Sequence, residues 1–189
     1  MDRVYIETSA ILFFVKKDLK ENLTNLLKDK THFISDLVLA EIHNMDEPYR
    51  EYTARLLEEI GFPVLKLQEE DTEFARKYVY NKVIETKEYS LGLHYYLAAK
   101  NNAAIITASN RLIEVKEGLE RINNHFKVPI PPEIIKVGEY EDETLKNIRA
   151  NIGRLVEAQG EKKLTISIRE SSEFFIREKK LSLSRREKI

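Results

Sequence analysis

The sequence predicts a layered α/β fold, a three-layer α/β/α sandwich with a mostly parallel central sheet, and three observations predict it. Short β-type runs at residues 3–6, 32–34, 63–67 and 103–107 are separated by one or two stretches of helical periodicity. Parallel strands require crossovers of that kind, and the crossover helices then cover both faces of the sheet. The chain has 189 residues, 42% of them apolar, enough for the core of one domain and too few for two full ones.

Taken in order, Arg3-Val4-Tyr5-Ile6 is a short strand that runs into Glu7-Thr8-Ser9, whose hydroxyls are suited to cap a helix beginning with the apolar residues 10–15. Leu19, Leu23, Leu26 and Leu27 have helical spacing. His32-Phe33-Ile34 repeats the strand, and Ser35 or Asp36 caps the apolar helix around residues 37–42. Pro48 opens a further helix with a stripe of Tyr52, Leu56, Leu57 and Ile60, and Gly61 stops it. After the strand at residues 63–67, Phe74, Ala75, Tyr78 and Val79 return to helical spacing, and residues 88–100 form a mostly buried helix. Residues 103–107 are the candidate central strand. Pro129, Pro131 and Pro132 mark a boundary, dividing the chain into residues 1–138 and a C-terminal extension at 139–189. In that extension, residues 141–159 read as a helix ended by Gly160, Leu164, Ile166 and Ile168 alternate as in a strand, and Phe174 to Ile176 suit a short helix. The last ten residues read as a frayed tail.

Composition excludes several chemistries. There is no cysteine, so disulfides, thiolate nucleophiles, iron–sulfur clusters and cysteine zinc sites are ruled out, and an intracellular, cytoplasmic protein is expected. With 31 basic and 32 acidic side chains, no whole-molecule field attracts a polyanion. The apolar run at residues 10–15 is too short to span a bilayer, and no membrane association is expected. A local basic cluster remains: from residue 161 onward nine basic side chains face five acidic ones, with Lys179, Lys180, Arg185 and Arg186 candidates for contacting phosphate.

Two acids stand out. Glu41 lies between Ala40 and Ile42 in a helix with little polar face, where a buried carboxylate must find a proton, a hydrogen-bond donor or a cation. Glu7 stands at the carboxyl end of the first strand, where open α/β sheets place their ligand crevice. Two such acids facing one crevice would make an oxygen-lined site suited to Mg²⁺ or Mn²⁺, which could activate water.

Four strings in this order, Val4-Tyr5-Ile6-Glu7-Thr8-Ser9-Ala10, Phe33-Ile34-Ser35-Asp36-Leu37-Val38-Leu39-Ala40-Glu41-Ile42, Leu91-Gly92-Leu93-His94-Tyr95-Tyr96-Leu97-Ala98-Ala99 and Ile105-Ile106-Thr107-Ala108-Ser109-Asn110, resemble the PIN domain over residues 3–136. The resemblance implies a ribonuclease-like fold using Mg or Mn, with Glu7 and Glu41 as catalytic metal ligands and Thr8, Ser9, Ser109 and Asn110 orienting substrate or water. It also implies RNA as substrate, an antitoxin-like protein partner and a homodimer. Family members carry three or four acids. Here the third position is Leu91 and the fourth Ser109, so the acidic site is degenerate, with Glu114, Glu88 or Asp71 as substitutes to be tested. Two readings follow: weak or lost phosphodiester hydrolysis of RNA, or a noncatalytic protein- or RNA-binding scaffold. His94, Tyr95 and Tyr96 read as core residues.

Overall fold

The computed structural model describes residues 2–186. Its six strands are β1 (Arg3–Ile6), β2 (Thr31–Ser35), β3 (Val64–Leu65), β4 (Ala104–Thr107), β5 (Ile134–Lys136) and β6 (Arg185–Arg186). They form one sheet in the order β5-β4-β1-β2-β3-β6, with every pairing parallel. The helices are α1 (Thr8–Lys16), α2 (Lys20–Leu27), α3 (Asp36–His43), α4 (Tyr49–Ile60), α5 (Glu69–Tyr80), α6 (Tyr89–Lys100), α7 (Asn110–His125), α8 (Glu143–Gln159) and α9 (Glu161–Lys179), and a 3-10 turn covers Thr86–Glu88. The architecture is the expected three-layer α/β/α sandwich. None of these helices is long and apolar enough to cross a membrane.

The central strands explain why the core forms where it does. Val4, Tyr5 and Ile6 of β1 and Ala104, Ile105 and Ile106 of β4 are all fully buried and stand in register as neighbours. A strand covered on both faces reads as a continuous apolar run instead of an alternating one. Strand order reverses at β1, with β2 on one side and β4 on the other, which puts the crevice of an open parallel sheet at the carboxyl end of β1. Glu7 is the next residue.

Several expectations are corrected. The cap of α1 is the Glu7 carboxylate, which accepts from Ser9 N at 3.1 Å, and the Thr8 and Ser9 hydroxyls are used elsewhere. Ser35 caps α3 as predicted, accepting from Val38 N. Tyr52 is 51% exposed and does not join the buried stripe of α4. Residues 164–168 are no strand: they lie in α9, a 19-residue helix. Leu164 and Ile168 are four residues apart and share its buried face, whereas Ile166 between them is exposed, so a helical i, i+4 pair passed for alternation. The segment at 174–176 is the end of the same helix. Sequence reading also passed over α7 and β5.

Residues 143–186 are built into the body. Helix α9 packs along α3 and α5, α8 packs against α6 and the 86–88 turn, and β6 extends the sheet beyond β3. Of the last ten residues, expected to fray, Arg185 and Arg186 pair with β3, and 187–189 lie outside the described residues. Asp142 starts α8 by accepting from Thr144 N and Leu145 N. It is itself held by Lys16 at 2.8 Å and Tyr140 at 2.9 Å. Burial opposes its ionisation, yet the Lys16 ammonium and the Tyr140 hydroxyl bring its carboxyl down to about 2. That anchorage fixes where the next two turns of α8 point.

Candidate functional site

Five elements converge at the carboxyl end of β1, with β4 supplying Thr107. The β1–α1 junction supplies Glu7, Thr8 and Ser9; α3 supplies Glu41; α6 supplies Ser90 and His94; α8 supplies Arg149. Glu7 and Glu41 meet, as the sequence predicts, and both are wholly buried. What lies between them is a guanidinium. Arg149 Nη2 donates to Glu7 Oε2 at 2.7 Å and its Nε to Glu41 Oε2 at 2.8 Å. The side chain is 11% exposed.

The remaining donors complete the two carboxylates. Glu7 Oε1 accepts from Thr107 Oγ1 at 2.8 Å and from the Ser9 hydroxyl, and Oε2 accepts from Ser9 N besides Arg149. Glu41 Oε1 accepts from Thr8 Oγ1 at 2.6 Å and from His94 Nε2, and Oε2 accepts from Ser90 Oγ at 3.2 Å besides Arg149. Each of the four oxygens therefore takes two donors, and a carboxylate has roughly four lone-pair sites. Behind His94, Nδ1 faces Tyr5 Oη at 2.6 Å, and that hydroxyl faces Ser35 Oγ at 2.8 Å. If Ser35 donates to Tyr5, Tyr5 to Nδ1, and Nε2–H to Glu41, every hydrogen in the relay has an acceptor.

Burial alone would push the Glu41 carboxyl up. The Arg149 guanidinium and the His94 imidazole outweigh it and hold Glu41 well below the usual carboxylate range. Arg149 shows the converse: burial would lower it, and the two carboxylates raise it instead. The sign of the resulting pH dependence follows. With its folded value depressed, Glu41 contributes stability that is fully present above the ordinary glutamate range and is lost as pH falls below it. Urea melts between neutral and acid pH should show wild-type protein losing stability on acidification more steeply than Glu41→Gln, by up to about 1.4 kcal/mol per pH unit for one proton. Parallel curves would mean that Glu41 is not ionised in the fold.

Above the pair opens a cleft of about 290 Å³, walled by Ser9, Leu91, Ser109 and Arg149, with Lys87, Glu88, Arg111, Asp142 and Lys146 among its other lining residues. Glu7 and Glu41 are not among its walls; Arg149 and Ser9 close it over them. Leu91 is buried at the position where the resemblance calls for an acid. Ser109 caps α7, accepting from Leu112 N, and Asn110 accepts from the Lys136 ammonium, so both are engaged in local structure. Of the substitute acids, Glu88 reaches the cleft but pairs with Arg111, Glu114 also pairs with Arg111, and Asp71 is buried elsewhere against Lys100. Tyr96 stacks on Phe74 at 4.5 Å and Tyr95 packs against Tyr78, as core residues do. Among the proposed phosphate contacts, Lys179 pairs with Glu47 and Glu51, and Arg185 with Asp36 and Glu173. Lys180 ends α9 and Arg186 is exposed on β6.

The donor set does not fit the Mg or Mn ion that the resemblance implies. The four oxygens of Glu7 and Glu41 are saturated, and a cation could reach them only by expelling a guanidinium that already supplies the positive charge. Among the described residues, no group of three or more His, Asp or Glu gathers as a metal site.

Arg149 is the residue that sequence reading missed, although a signal existed. In α8, Leu145, Ile148, Ile152 and Val156 form the buried stripe, and position 149 falls on it, four after Leu145 and three before Ile152. A cation in a core position asks for a buried anion. Comparison of the chain with family models, with curated proteins and with solved structures gives no match.

Proposed function

We propose that this chain is a noncatalytic, PIN-like binding module in which Arg149 replaces the metal of a nuclease-type notch. One observation carries the reading: a single guanidinium bridges Glu7 and Glu41 and completes the hydrogen bonding of both. A buried ion pair gains little over apolar packing, but once both acids are buried, removing its cation is costly. The module therefore keeps its acids closed, and the cleft above them serves to bind. Its lining carries four cationic side chains, Lys87, Arg111, Lys146 and Arg149, against three anionic ones, Glu88, Glu141 and Asp142. Several of these pair with each other, so the cleft lacks the uncompensated positive field that holds a polyanion. A protein partner suits this mixed polar surface better than RNA.

The test is a calorimetric titration of the full chain with Mn²⁺, run beside an assay on a single-stranded RNA probe. The expected outcome is no saturable binding at millimolar ion, an unchanged melting temperature, and no metal-dependent cleavage. Cleavage that Glu7→Gln abolishes, or a saturable Mn²⁺ site that the same substitution removes, would overturn the proposal.

A further inference from the structure

Another buried carboxylate lies one strand over, at the carboxyl end of β2. Asp36, fully buried at the first turn of α3, accepts from Leu67 N at 2.9 Å and Ser172 Oγ at 2.8 Å, and binds the Arg185 guanidinium. Arg185 Nη1 also reaches Glu173 at 2.9 Å. The segment bearing Arg185 lies extended along the outer edge of β3. Val64 N donates to Ser184 O and Lys66 N to Arg186 O, both at 2.8 Å, and Ser182 N donates to Glu58 at 2.8 Å. Burial alternates strictly along it: Leu181, Leu183 and Arg185 are half-buried, and Ser182, Ser184 and Arg186 are exposed. That is how a bound peptide adds to a sheet edge, with backbone hydrogen bonds for affinity and pockets for alternate side chains.

The segment also follows a sharp break in the chain. Helix α9 stops at Lys180, a non-glycine residue in the left-handed region with φ 54°; beyond it the backbone of residues 184–186 pairs with the β3 edge, Ser182 bonds Glu58 of α4, and Leu181 N and Arg185 reach back to Ile176 O and Glu173 of α9. A short, strained hinge before a self-contained binding segment is the arrangement that lets an element exchange between identical chains, since the contacts made within one chain are available unchanged between two.

We infer that the β3 edge, with Asp36 at its base, is a recognition site for an extended Leu-x-Leu-x-Arg segment, filled by residues 181–186 of the same chain or, by exchange, of a second copy. Arg185 is the anchor, because its guanidinium binds Asp36 directly, whereas Arg169 acts on that carboxyl through its charge alone. The two leucines and the backbone set the register.

A labelled peptide of residues 181–189 stands in for the second copy's segment. It should bind the full chain carrying Arg185→Ala, and at least about tenfold more tightly than the same peptide carrying Arg185→Ala. Wild-type protein, whose tethered segment competes at high effective concentration, should bind it at least about tenfold more weakly. Arg186→Pro, which removes a backbone donor from the resident strand, empties the same edge without touching the anchor and should also take up the peptide. Mixing full-length Arg185→Ala with full-length Asp36→Asn should give a one-to-one complex by light scattering, because one chain keeps the edge and the other keeps the strand. Folded variants that bind neither peptide, or bind both equally, overturn the inference, as does a mixture that stays monomeric.

Discussion

Replacing Arg149 by alanine is expected to lower folding stability by about 3–5 kcal/mol, the usual cost of removing one partner from a buried ion pair. The cost arises from what remains behind. Glu7 and Glu41 would be left at zero exposure, with like charges facing each other and no guanidinium between them. Arg149→Lys should recover only part of the loss, because an ammonium is a point charge and cannot place Nε and Nη2 on two carboxylates at once. The control is the triple variant Glu7→Gln, Glu41→Gln, Arg149→Met. It removes all the charge and should lie closer to wild type than Arg149→Ala does, since neutral replacement of a whole buried network is often tolerated. Urea denaturation measures all three. A triple variant no better than Arg149→Ala would mean that the methionine packs poorly or that charge is not what the alanine loses.

How much of this was legible in the sequence depended on whether a signal was local. Strands β1 and β4 announce themselves as uninterrupted apolar runs because both faces of a central parallel strand are covered, and Gly61, with φ 75°, announces the end of α4. The meeting of Glu7 with Glu41 was legible because a strand end in a parallel sheet and an acid in an apolar helix each point to the crevice. The identity of the cation was not. Arg149 lies 142 residues from Glu7, and no local rule links a helix beyond the expected domain boundary to the first strand end. Helix α9 was misread for a related reason. Leu164, Ile166 and Ile168 fit a strand over five residues, and only Ser172 on Asp36 and Phe175 in the core, further along the same face, reveal the 3.6-residue period. Strand β6 is two residues long and owes its conformation to Asp36 and the β3 edge, so its own sequence carries almost nothing to read.

Gly153→Ala is expected to be nearly as damaging as the loss of Arg149, and for a connected reason. A Cβ built at Gly153 would lie 2.1 Å from the Thr86 carbonyl oxygen and 2.9 Å from its carbon, where a backbone, not a flexible side chain, is in the way. Helix α8 rests directly on the 86–88 turn at that point, and only the missing side chain permits it. Overpacking against rigid structure costs about 1–3 kcal/mol, occasionally more. Position 153 is four residues after Arg149, one helical turn along the same face, so lifting α8 off the turn also withdraws the guanidinium from Glu7 and Glu41. The two losses are then not independent. In a double-mutant cycle, Gly153→Ala should cost clearly less in the Arg149→Ala background than in wild type, because the bridge it would have strained is already gone. Additive costs would show instead that α8 tilts about Asp142 without moving Arg149, and that the close approach at Thr86 serves packing alone.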